Sequence, residues 1–212
     1  MTNFHSCDLS RNDARTRLLE AARDLIRAQG FCATTVDNIC RKAGVTKGAF
    51  FHHFENKEAL GVAAVIHWSE TTSELFADAS YHACHDPLDR LLEYIAYRKR
   101  IIEGDPAEFS CLAGALAQEV YGSHPAIRES CAASIFAHAE TLEPDIEAAM
   151  AAHRISSNMS PAGVAAHIQA VLQGAFVLAK AADDPEIARA SLDHLACYIE
   201  MLFGRSPANA IQ

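Results

Sequence analysis

None of the seven cysteines stands in a C-x-x-C pair, no run of alternating β-branched residues lies between turn signals, and no continuous apolar segment occupies the start. The cysteines (Cys7, Cys32, Cys40, Cys84, Cys111, Cys131, Cys197) form an odd, widely spaced set. That excludes a zinc ribbon or finger and a disulfide framework, and leaves most of them as small buried hydrophobes. Without alternating runs, strands are absent or trivial. The start, "MTNFHSCDLSRND", lacks the apolar centre of a secretory signal. The most apolar stretch, "VAAHIQAVLQGAFVLAKAA" (164–182), carries a His, two Gln and a Lys and is not read as a membrane span. A cytoplasmic protein without a membrane partner is the expectation. Also missing are the G-x-S-x-G elbow, H-E-x-x-H, a phosphate-cradling glycine loop and the dinucleotide fingerprint, so nothing calls for an enzyme or a cofactor.

What is present is an ordinary globular composition: 212 residues, 50% hydrophobic and 21% charged, with little Gly or Pro. The net charge of -9 is unevenly spread. Residues 1–57 hold nine Lys/Arg against six Asp/Glu, a net +3, and the remainder nine against twenty-one, a net -12. A basic end on an acidic body fits a nucleic-acid module joined to a domain of another kind; a solvated charged face would look the same.

Helix signals recur throughout, and the chain is read as all-α with about nine helices. Ser10 can cap a first helix carrying Ala14, Leu18, Leu19, Ala22, Leu25 and Ile26 on one face, stopped by Gly30. Thr35 caps a short second helix, ended by Gly44, and Thr46 a third over residues 47–53. Asn56 caps a fourth running to about Ala79. Asp86-Pro87, Ser160-Pro161 and Asp184-Pro185 each set a capping side chain before a proline in the first turn, where the missing N–H costs nothing. Between them the pattern predicts a helix over 107–119 and a long one over 125–153.

The segment "TTVDNICRKAGVTKGAFFHHF" gives helix, tight turn and helix, the arrangement that lets one helix brace another in the DNA major groove. Val36, Ile39, Val45 and Phe50 would fill the space between them, leaving Thr46, Lys47, Gly48, Phe51, His52 and His53 outward. Extended to "TRLLEAARDLIRAQGFCATTVDNICRKAGVTKGAFFHHFENKEAL", the stretch resembles the DNA-binding domain of the TetR (tetracycline repressor) family over about 45 residues. The resemblance implies a three-helix DNA-binding domain over 1–56 and a ligand-binding and dimerisation domain over 57–212. It implies that Thr35 and Lys57 hold phosphates at helix starts, and that Thr46, Lys47, Gly48 and His52 lie nearest the base edges. At Phe51 the family more often has Tyr, so a phosphate-binding hydroxyl is lost there. His53 has either a phosphate role or none. His52 and His53, about 100° apart on a helix, do not converge on a metal.

A reader of this kind binds as a pair. The last two helices carry Ile168, Val171, Leu172, Ala175, Leu195, Ile199 and Leu202, which the resemblance assigns to a four-helix bundle with a twin; part of each stripe is also core. The middle helices are left to form a chamber for a modest, mainly hydrophobic or electrophilic molecule, lined by Tyr94, Tyr97, Arg98, Ile101, Cys111, Ala115, Phe136 and His138. "CLAGALAQE" (111–119) is similar to a C-L-x-x-x-L-x-x-E element of the branch that includes regulators of N-ethylmaleimide reductase. Cys111, near a helix start with Arg98 or Arg100 on the preceding helix, is either a thiol sensor or a packing residue. "HACH" (82–85), in an expected loop, has no second ligand cluster to complete a metal site. The implied function is a homodimeric repressor released from double-stranded operator DNA by a small molecule or electrophile. The competing readings are a helical adaptor and a small-molecule-binding enzyme.

Overall fold

The computed structural model describes residues 5–155 and 159–206. Among them are eleven α-helices and a short 3-10 turn, with no strand. The chain divides into two compact units: 1–72 with 110–134, and 73–109 with 135–212.

The first unit opens with α1 (His5–Gln29), which starts upstream of Ser10; Ser10 therefore lies within the helix and not at its cap. Nothing in 5–10 is a Gly or Pro that would stop the helix there. Leu18, Leu19, Ala22 and Ile26 form its buried face, and the helix closes with the Gly30 amide donating to Ile26 O at 2.9 Å. Next come α2 (Val36–Ala43) and α3 (Lys47–His53). The hydroxyls of Thr35 and Thr46 cap them, each accepting a backbone N–H at 3.1 Å. Gly44 between them sits at φ +65°, a left-handed position that other residues adopt at a cost. Arg17 of α1 donates to the carbonyl of Ala43 at 3.1 Å, pinning that turn from behind. Then α4 (Lys57–Ala77) begins, capped by Asn56, whose Oδ1 accepts from the Ala59 amide at 2.8 Å.

Beyond residue 110 the chain returns to this unit as α7 (Leu112–Val120) and the first part of α8 (Pro125–Glu140). Its attachment is chemical as well as apolar. The Glu119 carboxylate accepts from the amides of Phe31 at 2.5 Å and Cys32 at 2.8 Å, just past the end of α1. Partial burial alone would raise the pKa of Glu119. The amide bonds from Cys32 and Phe31, the Cys32 thiol and the nearby Lys57 charge together hold it below its ordinary value. These contacts explain why the compact units cut the chain elsewhere than after residue 56.

The second unit holds the last turn of α4, a 3-10 turn (Ser80–Ala83), α5 (Pro87–Arg100), α6 (Pro106–Phe109), the end of α8, α9 (Glu143–Ala152), α10 (Pro161–Ala182) and α11 (Pro185–Leu202). Asp86, Ser160 and Asp184 each cap the proline-led helix after them. Leu88, Leu91, Ile146, Ile168, Leu172, Leu192 and Ile199 are central to its core. Ion pairs tie α5 outward on two sides, Arg90 to Asp145 at 2.8 Å and Lys99 to Asp193 at 2.6 Å.

Two expected helices are each divided. The helix over 125–153 breaks at Thr141–Leu142, because Pro144 two residues on has no N–H for the ladder and its ring would meet the carbonyl four residues back. The helix over 107–119 breaks at Ser110–Cys111, where Cys111 turns extended and its sulfur caps α7, accepting from the Gly114 amide at 3.3 Å. By length and composition alone α10 is apolar enough to cross a membrane. Eight of its residues are buried in the core of this unit.

Replacing Glu119 by Ala leaves the Phe31 and Cys32 amides without their acceptor and should cost ~1–2 kcal/mol in urea unfolding. The lowered pKa makes this contribution fully present above the unfolded value near 4.5 and lost as pH falls from there through the lower folded value. Glu119→Gln should accordingly lose less stability on acidification than the wild type.

Candidate functional site

On α3 the exposed positions are Thr46, Lys47, Gly48, Phe51 and His52, while Phe50 on the opposite side is fully buried. This is the orientation the spacing predicts: Phe50, Ile39 and Ala43 fill the angle between α2 and α3, and the polar and small residues are left outside. Phe51 is 55% exposed and stands edge-on to Phe50 at 5.1 Å, so the ring is positioned from behind while its face is open. A Cβ built on Gly48 would meet nothing nearer than Thr46 Oγ1 at 3.8 Å. The backbone of α3 is therefore bare at that point, and a surface can come close. His53 is half-buried against Phe54.

Two lysines deviate from the simple expectation. Lys47 reaches across to Asp37 of α2 at 2.8 Å, both groups exposed. Lys57 turns inward, its ammonium donating to the carbonyls of Phe31 at 2.9 Å and Thr34 at 3.0 Å and lying 4.3 Å from the Phe31 ring centre. Two of its three donors are thus spent on the loop after α1, and its first role is to hold that loop. Thr35, expected beside it at the phosphate backbone, is exposed at the α2 start with its hydroxyl capping Asn38.

The candidate ligand residues fall in both units. Cys111 and Ala115 are in the first; Tyr94, Tyr97, Arg98, Ile101, Phe136 and His138 are in the second. In the second unit the Tyr94 hydroxyl lies 2.9 Å from His138 Nε2, and Phe76 packs on Tyr94, Tyr97 and His138 with ring centres 4.8–5.7 Å apart. Ile101 and Phe136 are exposed. Burial, aided by the Arg98 charge, pushes the His138 imidazole down to about 4, so it is neutral at physiological pH. The guanidinium expected beside Cys111 is engaged otherwise. Arg100 pairs with Glu93 at 2.7 Å, and Arg98 lies over Phe76 and Phe176.

The dimer stripe also needs correction. Ile168, Leu172, Ala175, Leu195 and Ile199 are each at most 3% exposed within a single chain, and Val171 and Leu202 are partly covered. They are core, because α10 and α11 pack on each other and on α5 and α9 through those faces. The apolar residues left outside are Val177, Leu178, Tyr198 and Met201, one step round each helix. His82 of the "HACH" stretch lies in the 3-10 turn, its Nε2 3.0 Å from the Phe76 carbonyl.

Arg17, Glu119 and Gln169 were missed as site-shaping residues. Glu119 alone had a signal, the last residue of the C-L-x-x-x-L-x-x-E element. Arg17 and Gln169 act over distances in sequence that local pattern does not carry.

Comparison with known proteins bears on this geometry. The family profile "Bacterial regulatory proteins, tetR family" matches residues 18–64, and "Tetracyclin repressor-like, C-terminal domain" matches 87–195. The HTH-type transcriptional regulator LmrA of Bacillus subtilis is 30% identical over 131 residues, 58% of this chain and 65% of its own length. The HTH-type transcriptional repressor DhaR of a Mycobacterium species is 27% identical over 112 residues, 53% of this chain and 54% of its own. The chain thus spans less than two thirds of the length of these curated relatives. Among solved structures, a TetR-family regulator from Agrobacterium tumefaciens superposes with a TM-score of 0.77 at 22% identity, covering 88% of this chain and 97% of that one. The reduced form of Escherichia coli NemR does so with 0.73 at 24% identity, covering 92% and 100%. At those identities the likeness is one of fold.

Two outcomes test this reading of the site. Gly48→Ala should leave the melting temperature unchanged or slightly raised, since the position is open and Ala is the better helix former by ~1 kcal/mol, yet should weaken DNA binding at least about tenfold in a fluorescence anisotropy titration. An affinity equal to wild type would remove α3 from the interface. Separately, a neutral buried His138 means that the unfolded chain takes up its proton first, near 6.5, and the folded one only near 4. Urea stability should therefore decline as pH falls across that window, and His138→Phe should flatten that part of the profile.

Proposed function

This chain belongs to the tetR family of bacterial regulatory proteins, and we propose that it is a cytoplasmic homodimeric repressor, released from operator DNA by a small molecule bound in its larger helical portion. The observation that carries the reading is the outward face of α3, where Thr46, Lys47, Gly48, Phe51 and His52 form a small, cationic and aromatic surface braced by α2. An adaptor would have no use for a bare glycine backbone flanked by a capping threonine and a lysine. A catalyst would need its reactive groups gathered in a cleft, whereas Thr46, Lys47 and His52 lie exposed along this face, the Thr46 hydroxyl capping α3 and Lys47 paired with Asp37.

Pairing of two copies would use the open apolar residues of α10 and α11. Leu178 and Met201 are 56% and 61% exposed, and Gly174 beside them has open space where a side chain would stand, so a second helix pair could approach closely. The ligand would act through α4, which starts at the reader and ends in the second unit. Release of DNA requires that the ligand bind one arrangement of the two readers better than the other. A thiol response is a narrower form of the same reading. The Cys111 thiol caps the start of α7, and Ser in its place would keep that cap, so Cys111→Ser separates chemistry from structure.

Titration of the purified protein with DNA from around its own gene should show affinity falling steeply with salt, as phosphate contacts release counterions, and Lys47→Ala should lower the slope by about one. Sequence-selective, salt-sensitive binding that never appears would leave the adaptor reading in its place. Leu178→Glu combined with Met201→Glu should raise the dimer dissociation constant at least about a hundredfold by analytical ultracentrifugation without loss of helix content, since both side chains are exposed in the single chain.

A further inference from the structure

Four basic residues lie on α5, and three of them have carboxylate partners: Arg90 with Asp145, Lys99 with Asp193 and Arg100 with Glu93. Arg98 has none among the described residues. Its guanidinium lies instead over two rings, 5.0 Å from the centre of Phe76 and 5.8 Å from that of Phe176. Stacking of this kind engages the face of the guanidinium and leaves its in-plane N–H donors available, the edge that grips a carboxylate in bidentate fashion. The residue is only partly buried, so an anion can reach it from solvent.

A second, independent feature lies in the same unit. Gln169 of α10 is 6% exposed, and its Nε2 has no hydrogen-bond partner. Burial raises the pKa of the nearby Tyr94 phenol and the Gln169 amide works against that rise, yet the contact between them falls short of hydrogen-bond geometry and leaves Nε2 unsatisfied. A buried donor left open in this way is unusual in a folded protein, and a ligand acceptor is one reason to keep it. Around these two donors stand the Tyr94–His138 pair and the rings of Phe76, Tyr97 and Phe176.

We propose that Arg98 and Gln169 form a binding site for an aromatic monocarboxylate, the guanidinium taking the carboxylate and the Phe76, Tyr97 and Phe176 rings taking the aryl group. The inference rests on the reading of this protein as a ligand-responsive regulator and narrows its ligand from a mainly hydrophobic molecule to an organic anion. One unpaired cation with neutral donors beside it suits a single negative charge. A phosphate ester would call for further cations, and those on α5 are already neutralised. A neutral aromatic would leave both Arg98 and the Gln169 donor unanswered.

The test uses the full-length protein and isothermal titration calorimetry with 1-naphthoate, with 1-naphthamide as the uncharged control of equal shape. The wild type should bind naphthoate at least about tenfold more tightly than the amide. Arg98→Gln should lose about tenfold or more, and Arg98→Lys, which keeps charge without the planar fork, should lie between. Gln169→Leu should weaken naphthoate several-fold while its melting temperature stays equal to or above wild type, because removing an unpartnered buried donor relieves the free protein; a purely structural glutamine would show the reverse. Should Arg98→Gln fail to fold, the lysine and leucine variants still decide. Equal affinity for naphthoate and naphthamide, unchanged affinity in the Arg98 variants, or no saturable binding of naphthoate or benzoate up to about 1 mM would each overturn the proposal. Operator affinity of the wild type, measured without any probe, tests the regulatory reading separately. DNA binding without carboxylate binding would sink the site alone. Carboxylate binding without DNA binding would sink the regulatory reading and keep the site.

Discussion

The first unit depends on the backbone just past α1 being held from two directions. Glu119 takes the amide hydrogens of Phe31 and Cys32, and Lys57 takes the carbonyls of Phe31 and Thr34. An acid and a base from separate helices thus satisfy the donors and acceptors of one short loop, where water would otherwise have to do so. With that loop fixed, the Thr35 cap is placed, α2 follows from it, and α3 takes its direction from the turn at Gly44. The exposed face of α3 is therefore set by contacts well away from it. A site meant to meet a rigid partner benefits from such indirect support, because its own side chains need not be anchored among themselves.

Much of this was legible in the sequence. The caps at Thr35, Thr46, Asn56, Asp86, Ser160 and Asp184 are local chemistry, a side-chain oxygen near the first orphan amides, and all six stand where the residues placed them. The outward set on α3 also followed from spacing, His53 excepted, which is half-buried against Phe54. Helix interiors were harder. Pro144 is a strong breaker, and the alanines and glutamates around it carried the helical pattern across it. Cys111 does not belong to the usual capping residues, so the break before α7 had no conventional mark.

The apolar stripes of α10 and α11 were legible as stripes and not as destinations. Periodicity tells which residues share a face, but Ile168 and Leu172 can satisfy the same pattern against α11 of their own chain or against a twin. Only the packed structure divides the buried set from Val177, Leu178, Tyr198 and Met201. Lys57 illustrates the same limit for charge. A lysine at a helix start looks like a phosphate ligand until the carbonyls it already serves are seen. Arg98 is the converse, a cation without an acidic partner among the described residues, a lack that is invisible in a chain rich in Asp and Glu.

Lys47 adds a final consideration. Its ion pair with Asp37 joins the two helices of the reader, so any phosphate that is to engage the ammonium must first displace a carboxylate of the same molecule. That carboxylate then faces the polyanion unneutralised. The reader carries its own competitor, and a weakly matched stretch of DNA, offering charge and little else, gains almost nothing from the exchange. Discrimination of this sort acts before any base is touched, as a threshold that only a well-fitted surface, supplying further contacts at Gly48 and Phe51, can exceed.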